Sequence, residues 1–337
     1  MRSLVVRGPG DVGLEGREAR TPGPGEVVVR PTATGVCGTD LEIVEGRIDP
    51  AYVRYPLVPG HEWTGVIAGT GGTGPAPGTP VVVEGVVPCG RCANCLAGAT
   101  NVCDTYDEIG FTRDGGAAEE VVVPAAQAHP LREDVPAEDA ALAEPAAVVH
   151  RALARARPPE GARALVVGDG TVGLLAVHLL GLWSPSEVTV LGLRPEQADL
   201  ASQAGAARFL TDPAETAGEF DLVIEAAGTN EAALAALAAA RRGGTVVLLG
   251  LPDHGTTAPV AIDGLVNGDL TVQASFSYTA SAWREVVGLL NDGRLRPGFL
   301  VTHRFSLERW AEALDTLRAG SGPRGKVLLT FDGSPAT

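Results

Sequence analysis

From Met1 to about Val123 the apolar positions fall in short runs cut by glycine and proline: LVV (Leu4–Val6), EVVVRPTATGVC (Glu26–Cys37), TGVIAGT (Thr64–Thr70), TPVVVEGVV (Thr79–Val87) and AAEEVVVP (Ala117–Pro124). Runs of this length, rich in valine and bounded by turn formers, predict strands of an antiparallel or barrel-like sheet, with little helix. After Leu142 the texture changes. ARALVVG (Ala162–Gly168), EVTVLGL (Glu187–Leu193), ARFL (Ala207–Leu210), FDLVIEAAG (Phe220–Gly228) and TVVLLGL (Thr245–Leu251) alternate with helix-patterned stretches such as TVGLLAVHLLGLW and NEAALAALAAARRG. Strands that alternate with helices predict parallel pairing and a doubly wound α/β sheet. The last fifty residues break that alternation with a helix (SAWREVVGLLNDGRL), a strand (VTHRFSL), a helix (ERWAEALDTLRAG) and a final strand (GKVLLTF).

A chain of 337 residues exceeds one ordinary hydrophobic core and predicts two compact units. No apolar run approaches the roughly 18 residues of a membrane span, and the N-terminus lacks a signal-peptide core, so the expected protein is soluble, cytoplasmic and free of membrane partners. The net charge of −15 repels phosphate backbones and argues against a nucleic-acid partner. Five cysteines in such a chain suggest metal binding or catalysis in preference to a disulfide framework.

Four of those cysteines lie within VVPCGRCANCLAGATNVC: Cys89, Cys92, Cys95 and Cys103. Four thiolates can close a tetrahedral shell around zinc, and a closed shell leaves no position for substrate, so this site reads as structural. Quieter candidates are Cys37 in GVCGTD, His61 and Glu62 in PGHEWTG, and Glu144 in LAEPAAVVH, each expected at a turn or strand end. One thiolate, one imidazole and one or two carboxylates form a zinc shell with room for a water or an alcohol.

The stretch GDGTVG closes a predicted strand and opens a predicted helix, and it sets Gly168, Gly170 and Gly173 in G-x-G-x-x-G spacing around Thr171 and Val172. That context predicts a dinucleotide whose pyrophosphate meets the helix N-terminus. At the end of the next strand, where an NAD site offers an acid to the ribose, the chain has Gly192 followed by Arg194. Losing the carboxylate makes room for a 2′-phosphate, and an arginine fork can pair with its oxygens, so NADP is favoured, with NAD possible.

Taken together, GVCGTD, PGHEWTG, the four-cysteine lobe, EPAAVVH and GDGTVG, in that order, resemble the zinc-dependent medium-chain dehydrogenase/reductase family, in its sorbitol, threonine, glucose and aminocyclitol dehydrogenase-like branch. The resemblance implies a GroES-like catalytic domain of residues 1–145 and 286–337 and a Rossmann NADP-binding domain of residues 146–285. It implies Cys37, His61, Glu62 and Glu144 around a catalytic zinc, and leaves open whether Glu62 or Glu144 binds the resting ion. Thr39 corresponds to the family's proton-relay hydroxyl, and Asp40 to a supporting residue. The implied reaction moves a hydride between nicotinamide and a secondary alcohol or ketone of a polyol, sugar or cyclitol.

Two rivals stand beside this reading. A metal-free quinone- or enoyl-type reductase of the same superfamily would lack the Cys37, His61 and Glu62 set. A non-catalytic zinc and nucleotide-binding protein would carry a degraded shell, and none is visible. A homodimer or homotetramer is expected, with the β-patterned LTVQASFSYT (Leu270–Thr279) as a pairing edge.

Overall fold

The protein is described by a computed structural model that covers residues 1–319 and 322–331. Its strands are β1 (Arg2–Gly8), β2 (Asp11–Gly16), β3 (Glu26–Val36), β4 (Glu62–Thr70), β5 (Pro80–Val83), β6 (Val121–Pro124), β7 (Ala128–Pro130), β8 (Arg163–Val167), β9 (Glu187–Leu191), β10 (Arg208–Leu210), β11 (Phe220–Glu225), β12 (Ala240–Leu248), β13 (Thr271–Ala274), β14 (Val301–Ser306) and β15 (Lys326–Thr330).

The chain divides into two compact units. The second takes in Pro145–Ser277 and a short later segment that contains Arg324; the first holds the chain before Pro145, the stretch that starts at Tyr278, and β15. The sequence reading put the return at residue 286, inside the helix Ala280–Asn291. The chain instead re-enters the first unit just ahead of that helix, whose N-cap is Thr279.

In the first unit the main sheet runs β14-β15-β3-β4-β5-β7, with β6 also paired to β3 and a separate β1-β2 hairpin. All pairs are antiparallel except β14 with β15. Valine-rich strands suit a pleated surface packed on its neighbours, and Val27, Val29, Ile67, Val81, Val83 and Trp63 lie buried in one apolar core. The long strand β3 is the centre of this unit. Gly35, near its end, stands opposite Glu62 on one side and Leu328 on the other. That register brings the first residues of β4 and β15 to the same end of β3, and it positions the site described below.

The second unit is a six-stranded, wholly parallel sheet in the order β10-β9-β8-β11-β12-β13. Its central strands β8, β9 and β11 are buried almost throughout, as sheets covered on both faces require. The order reverses direction between β8 and β11, the switch point at which doubly wound sheets bind ligands. Among the described residues no helix is long and apolar enough to cross a membrane.

Candidate functional site

Cys37 follows the last residue of β3 and caps the helix Gly38–Glu45. The sequence reading expected a turn or strand end there, and Cys37 sits just past the end of a strand. A helix forms because Cys-x-x-Asp acts as a capping box: Cys37 Sγ accepts the Thr39 N–H at 3.3 Å, and the Asp40 carboxylate accepts the Cys37 N–H at 2.9 Å. Thr39, half-buried, is thereby fixed as the second residue of that helix, two residues beyond the sulfur-bearing cap. His61 precedes β4, and its Nε2 lies 3.4 Å from Cys37 Sγ. A tetrahedral zinc with Zn–S near 2.3 Å and Zn–N near 2.05 Å separates such a pair by about 3.5 Å. The imidazole Nδ1 is buried without a hydrogen bond and points toward Asp40 Oδ1, 3.7 Å away, the relationship that orients a metal-binding histidine.

Two carboxylates join this imidazole. Ligand atoms of His61, Glu62 and Glu144 lie within 4.8 Å of one another, as do those of Cys37, Asp40 and His61. Glu62 Oε1 is 3.9 Å from His61 Nε2, while its other oxygen is ion-paired with the ammonium of Lys326. Gly35 makes that pair possible, since a Cβ there would sit 2.7 Å from Lys326 Cε. Glu144 was expected at a turn or strand end; it stands in the first turn of the helix Ala143–Ala156. The aromatic ring of Phe111 lies 5.0 Å from the imidazole and walls the site on one side.

The electrostatics are those of crowded, desolvated ionisable groups. Burial opposes the charged His61 imidazole, but Cys37 and Asp40 outweigh it and hold its pKa well above the ordinary histidine value. Burial raises Asp40, with His61 opposing. Desolvation pushes the Glu144 carboxyl up to about 8, and Glu62 and Glu108 add repulsion that His61 and Lys326 offset in part. Burial also raises Glu108, whose carboxylate accepts the Tyr106 hydroxyl at 2.5 Å. Lys326 stays charged because Glu62 and Cys37 overcome the desolvation that would lower it. Such a cluster of acids and a thiol around one imidazole suits a divalent cation, which would take the place of the protons these groups otherwise hold.

The second metal-binding set is local. Cys92 caps the short helix Ala93–Leu96 and accepts the Cys95 N–H at 3.4 Å, while Cys103 accepts the Cys89 N–H at 3.3 Å. The Sγ atoms of Cys89 and Cys95, and those of Cys92 and Cys103, are 4.0 Å apart. A tetrahedral zinc–thiolate centre needs about 3.8 Å between sulfurs. All five cysteines are free of disulfides. Hydrogen bonds from the backbone of Arg91 and Cys92 lower the Cys89 thiol to about 6, and desolvation with its neighbours' thiols raises Cys95 to about 12. The structure thus gathers all four of these side chains as the spacing predicted.

In the second unit β8 runs into the glycine turn and the helix Thr171–Leu180. Gly168 has φ of +123°, and a Cβ there would meet the Ala227 nitrogen at 2.8 Å. Gly173 packs against the Gly168 backbone, whereas the space over Gly170, the helix N-cap, is open. A turn bare at this point, leading into Thr171 and Val172 at the helix start, fits a pyrophosphate. Arg194 departs from expectation. Its guanidinium does not present a free fork: Nη2 donates to Asp169 Oδ1 at 2.7 Å and Nε to Oδ2 at 3.4 Å. Asp169 lies between two of the motif glycines, and at 11% side-chain exposure its charge needs a partner.

Asp169, Lys326, Glu108 and Phe111 escaped the sequence reading. Lys326 alone carried a signal, as the single lysine of the chain.

Two family profiles match the chain: "Alcohol dehydrogenase GroES-like domain" over residues 23–133 and "Zinc-binding dehydrogenase" over residues 171–292. Sorbitol dehydrogenase of Gallus gallus is 32% identical over 98% of this chain and 96% of its own. A crystal structure of RspB from E. coli CFT073 complexed with NADH superposes with a TM-score of 0.91 at 30% identity, covering 98% of this chain and 99% of that one. A Sinorhizobium meliloti 1021 protein bound to NADP gives a TM-score of 0.90 at 27% identity, covering 98% of both chains.

Proposed function

Since the chain belongs to the zinc-dependent medium-chain alcohol and polyol dehydrogenase family, and is accordingly an oxidoreductase that uses zinc and a nicotinamide dinucleotide, we propose that it oxidises a secondary alcohol of a polyol, sugar or cyclitol, or reduces the matching ketone, with NADP preferred. The observation that carries the site assignment is the 3.4 Å approach of Cys37 Sγ to His61 Nε2, with Glu62 and Glu144 gathered on the same imidazole.

In this reading Cys37 and His61 hold the catalytic zinc, and Glu62 and Glu144 offer the remaining carboxylate. Cys89, Cys92, Cys95 and Cys103 hold the structural ion. When bound, zinc supplies a Lewis acid for an alcohol or carbonyl oxygen and the dinucleotide supplies a two-electron acceptor. The chain's own residues do the rest. Asp40 orients His61 through Nδ1. Thr39, fixed by the helix that Cys37 caps, exchanges the substrate's hydroxyl proton through Oγ1. Phe111 covers one flank of the site against water. Gly168, Gly170, Thr171, Val172 and Gly173 receive the pyrophosphate, and Gly192 with Arg194 face the adenosine ribose.

We read the assembly as a homodimer or homotetramer paired through β13. Support comes from its place at the end of the parallel sheet and from the exposure of Val272 and Phe276.

Absorbance of the reduced cofactor, followed with NADP and NAD against a panel of polyols, sugars, cyclitols and simple alcohols, tests the whole reading. Turnover of a polyhydroxylated secondary alcohol with NADP is expected. Turnover confined to simple primary alcohols would overturn the substrate class, and equal use of NAD would overturn the cofactor preference.

A further inference from the structure

Resting on the reading that Gly192 and Arg194 face the adenosine ribose, we propose that Asp169 sets the dinucleotide selectivity of this chain: its carboxylate holds the donors that a 2′-phosphate needs, and so works against NADP where Gly192 and Arg194 admit it.

The end of β9 cannot carry a side chain. A Cβ on Gly192 would lie 2.6 Å from Phe209 Cζ, 2.7 Å from Asp169 Cβ and 2.8 Å from Asp169 Oδ2, so the aspartate of the glycine turn fills the room that an acid at residue 192 would need. Its carboxylate is directed at the donors that follow the strand. Oδ2 accepts the N–H groups of Leu193 and Arg194 at 3.1 and 3.0 Å and Arg194 Nε at 3.4 Å, and Oδ1 accepts Arg194 Nη2 at 2.7 Å. Backbone N–H groups beside an arginine fork are what a phosphate dianion takes up. Asp169 is thus an internal anion on those donors. One carboxylate does not use them all, because Arg194 Nη1 is buried without a hydrogen-bond partner.

A 2′-phosphate can meet this arrangement in two ways, and both carry a cost. If it takes the fork from Asp169, it strands a carboxylate whose side chain is 11% exposed, and a buried charge that loses its partner is strongly destabilising. If it shares the fork, two anions sit on one guanidinium, and acceptors bound to the same nitrogen are at most about 6 Å apart. A ribose hydroxyl is neutral and incurs neither cost. Selectivity is a difference of affinities, so a group that penalises one dinucleotide and spares the other sets it. The main chain of residue 169 has its own anchor: Gln197, wholly buried, donates through Nε2 to the Asp169 carbonyl at 2.7 Å. The side chain can therefore be changed while the turn is held.

Titration of the zinc-loaded protein with NADPH and NADH by fluorescence, with 2′,5′-ADP and 5′-AMP as competitors, tests this role. Asp169→Asn keeps an oxygen for the two backbone N–H groups and removes the charge. It should tighten NADPH and 2′,5′-ADP by about tenfold and leave NADH and 5′-AMP within about twofold. Arg194→Ala should then cost NADPH about tenfold more in the Asp169→Asn background than in the wild-type chain, since the fork has been released. If Asp169→Asn loses NADH as well, Asp169→Ser is read by the same criterion; loss of NADH in both would make Asp169 a support of the turn and overturn the proposal. An unchanged or lowered preference for NADPH in a variant that still binds NADH, or equal costs of Arg194→Ala in the two backgrounds, would overturn it too. A wild type that prefers NADH, with Asp169→Asn still shifting the ratio toward NADPH, would overturn the NADP preference alone and uphold the role of Asp169.

Discussion

Lys326, the first residue of β15, is ion-paired with Glu62, the first residue of β4, and the two side chains are 2% and 3% exposed. They meet because β3 lies between their strands and carries only a glycine at the crossing point. Lys326 satisfies one oxygen of Glu62 and leaves the other facing His61.

Replacing Lys326 by Met should leave a buried carboxylate without its counter-charge, at a cost of about 3–5 kcal/mol, the range for breaking a buried pair. Bound zinc can take up that charge. Thermal unfolding should therefore show a larger fall in Tm for the zinc-free variant than for the zinc-loaded one. Equal falls in the two forms would mean that Glu62 does not face the metal.

Cys37→Ala removes one ligand from the site around His61 and touches none of the four clustered thiolates. Elemental analysis should find one zinc per chain where the wild type holds two, with the folded circular dichroism spectrum kept and turnover lost. Full activity in this variant would refute the catalytic-zinc assignment. Cys103→Ser should do the reverse, losing the structural ion and lowering Tm, because zinc binding free energy is also folding free energy.

In a Cys89→Ser/Cys92→Ser background, which removes two thiols held below their ordinary values and acting in the opposite sense, stability of the zinc-free protein should fall as pH rises. Asp40, Glu108 and Glu144 are held above their ordinary carboxyl values and His61 above the ordinary imidazole value, so the folded state keeps protons that the unfolded chain has released. Wherever the native state binds more protons, stability declines with pH. For Glu144 the window runs from its unfolded value of 4.5 to about 8, and for His61 from 6.5 upward. Zinc needs the same groups deprotonated, so the stabilisation it provides should grow over that window. Unfolding curves between about pH 5.5 and 8.5, with chelator and with zinc, check both slopes. A zinc-free protein more stable at the alkaline end would contradict this account.

The exposed apolar side chains of Val272 on β13 and of Phe276 just beyond it lie at a sheet edge whose backbone can pair with a second copy. Val272→Glu should shift the protein toward monomer in size-exclusion chromatography with light scattering, with zinc content unchanged. An unaltered mass would place any interface elsewhere.

The amino-acid sequence alone determined what a short span can encode. The four-thiolate lobe is drawn from Cys89–Cys103, where backbone turns suffice to converge the sulfurs, and GDGTVG declares itself because strand, bare turn and helix follow one another. Alternating apolar runs announced one sheet-rich unit and one parallel α/β unit, since period and turn residues are local properties. The partners of buried charges belong to a different order of information. Glu62 finds Lys326 only because β15 and β4 flank β3; Glu144 reaches His61 from the first turn of a helix that the sequence reading took for a turn or strand end; and Arg194 turns to Asp169 because Gly192 lets that carboxylate into the space beside it. A desolvated charge must be compensated, but which residue compensates it is set by strand order and register, and these exist only once the sheets have formed.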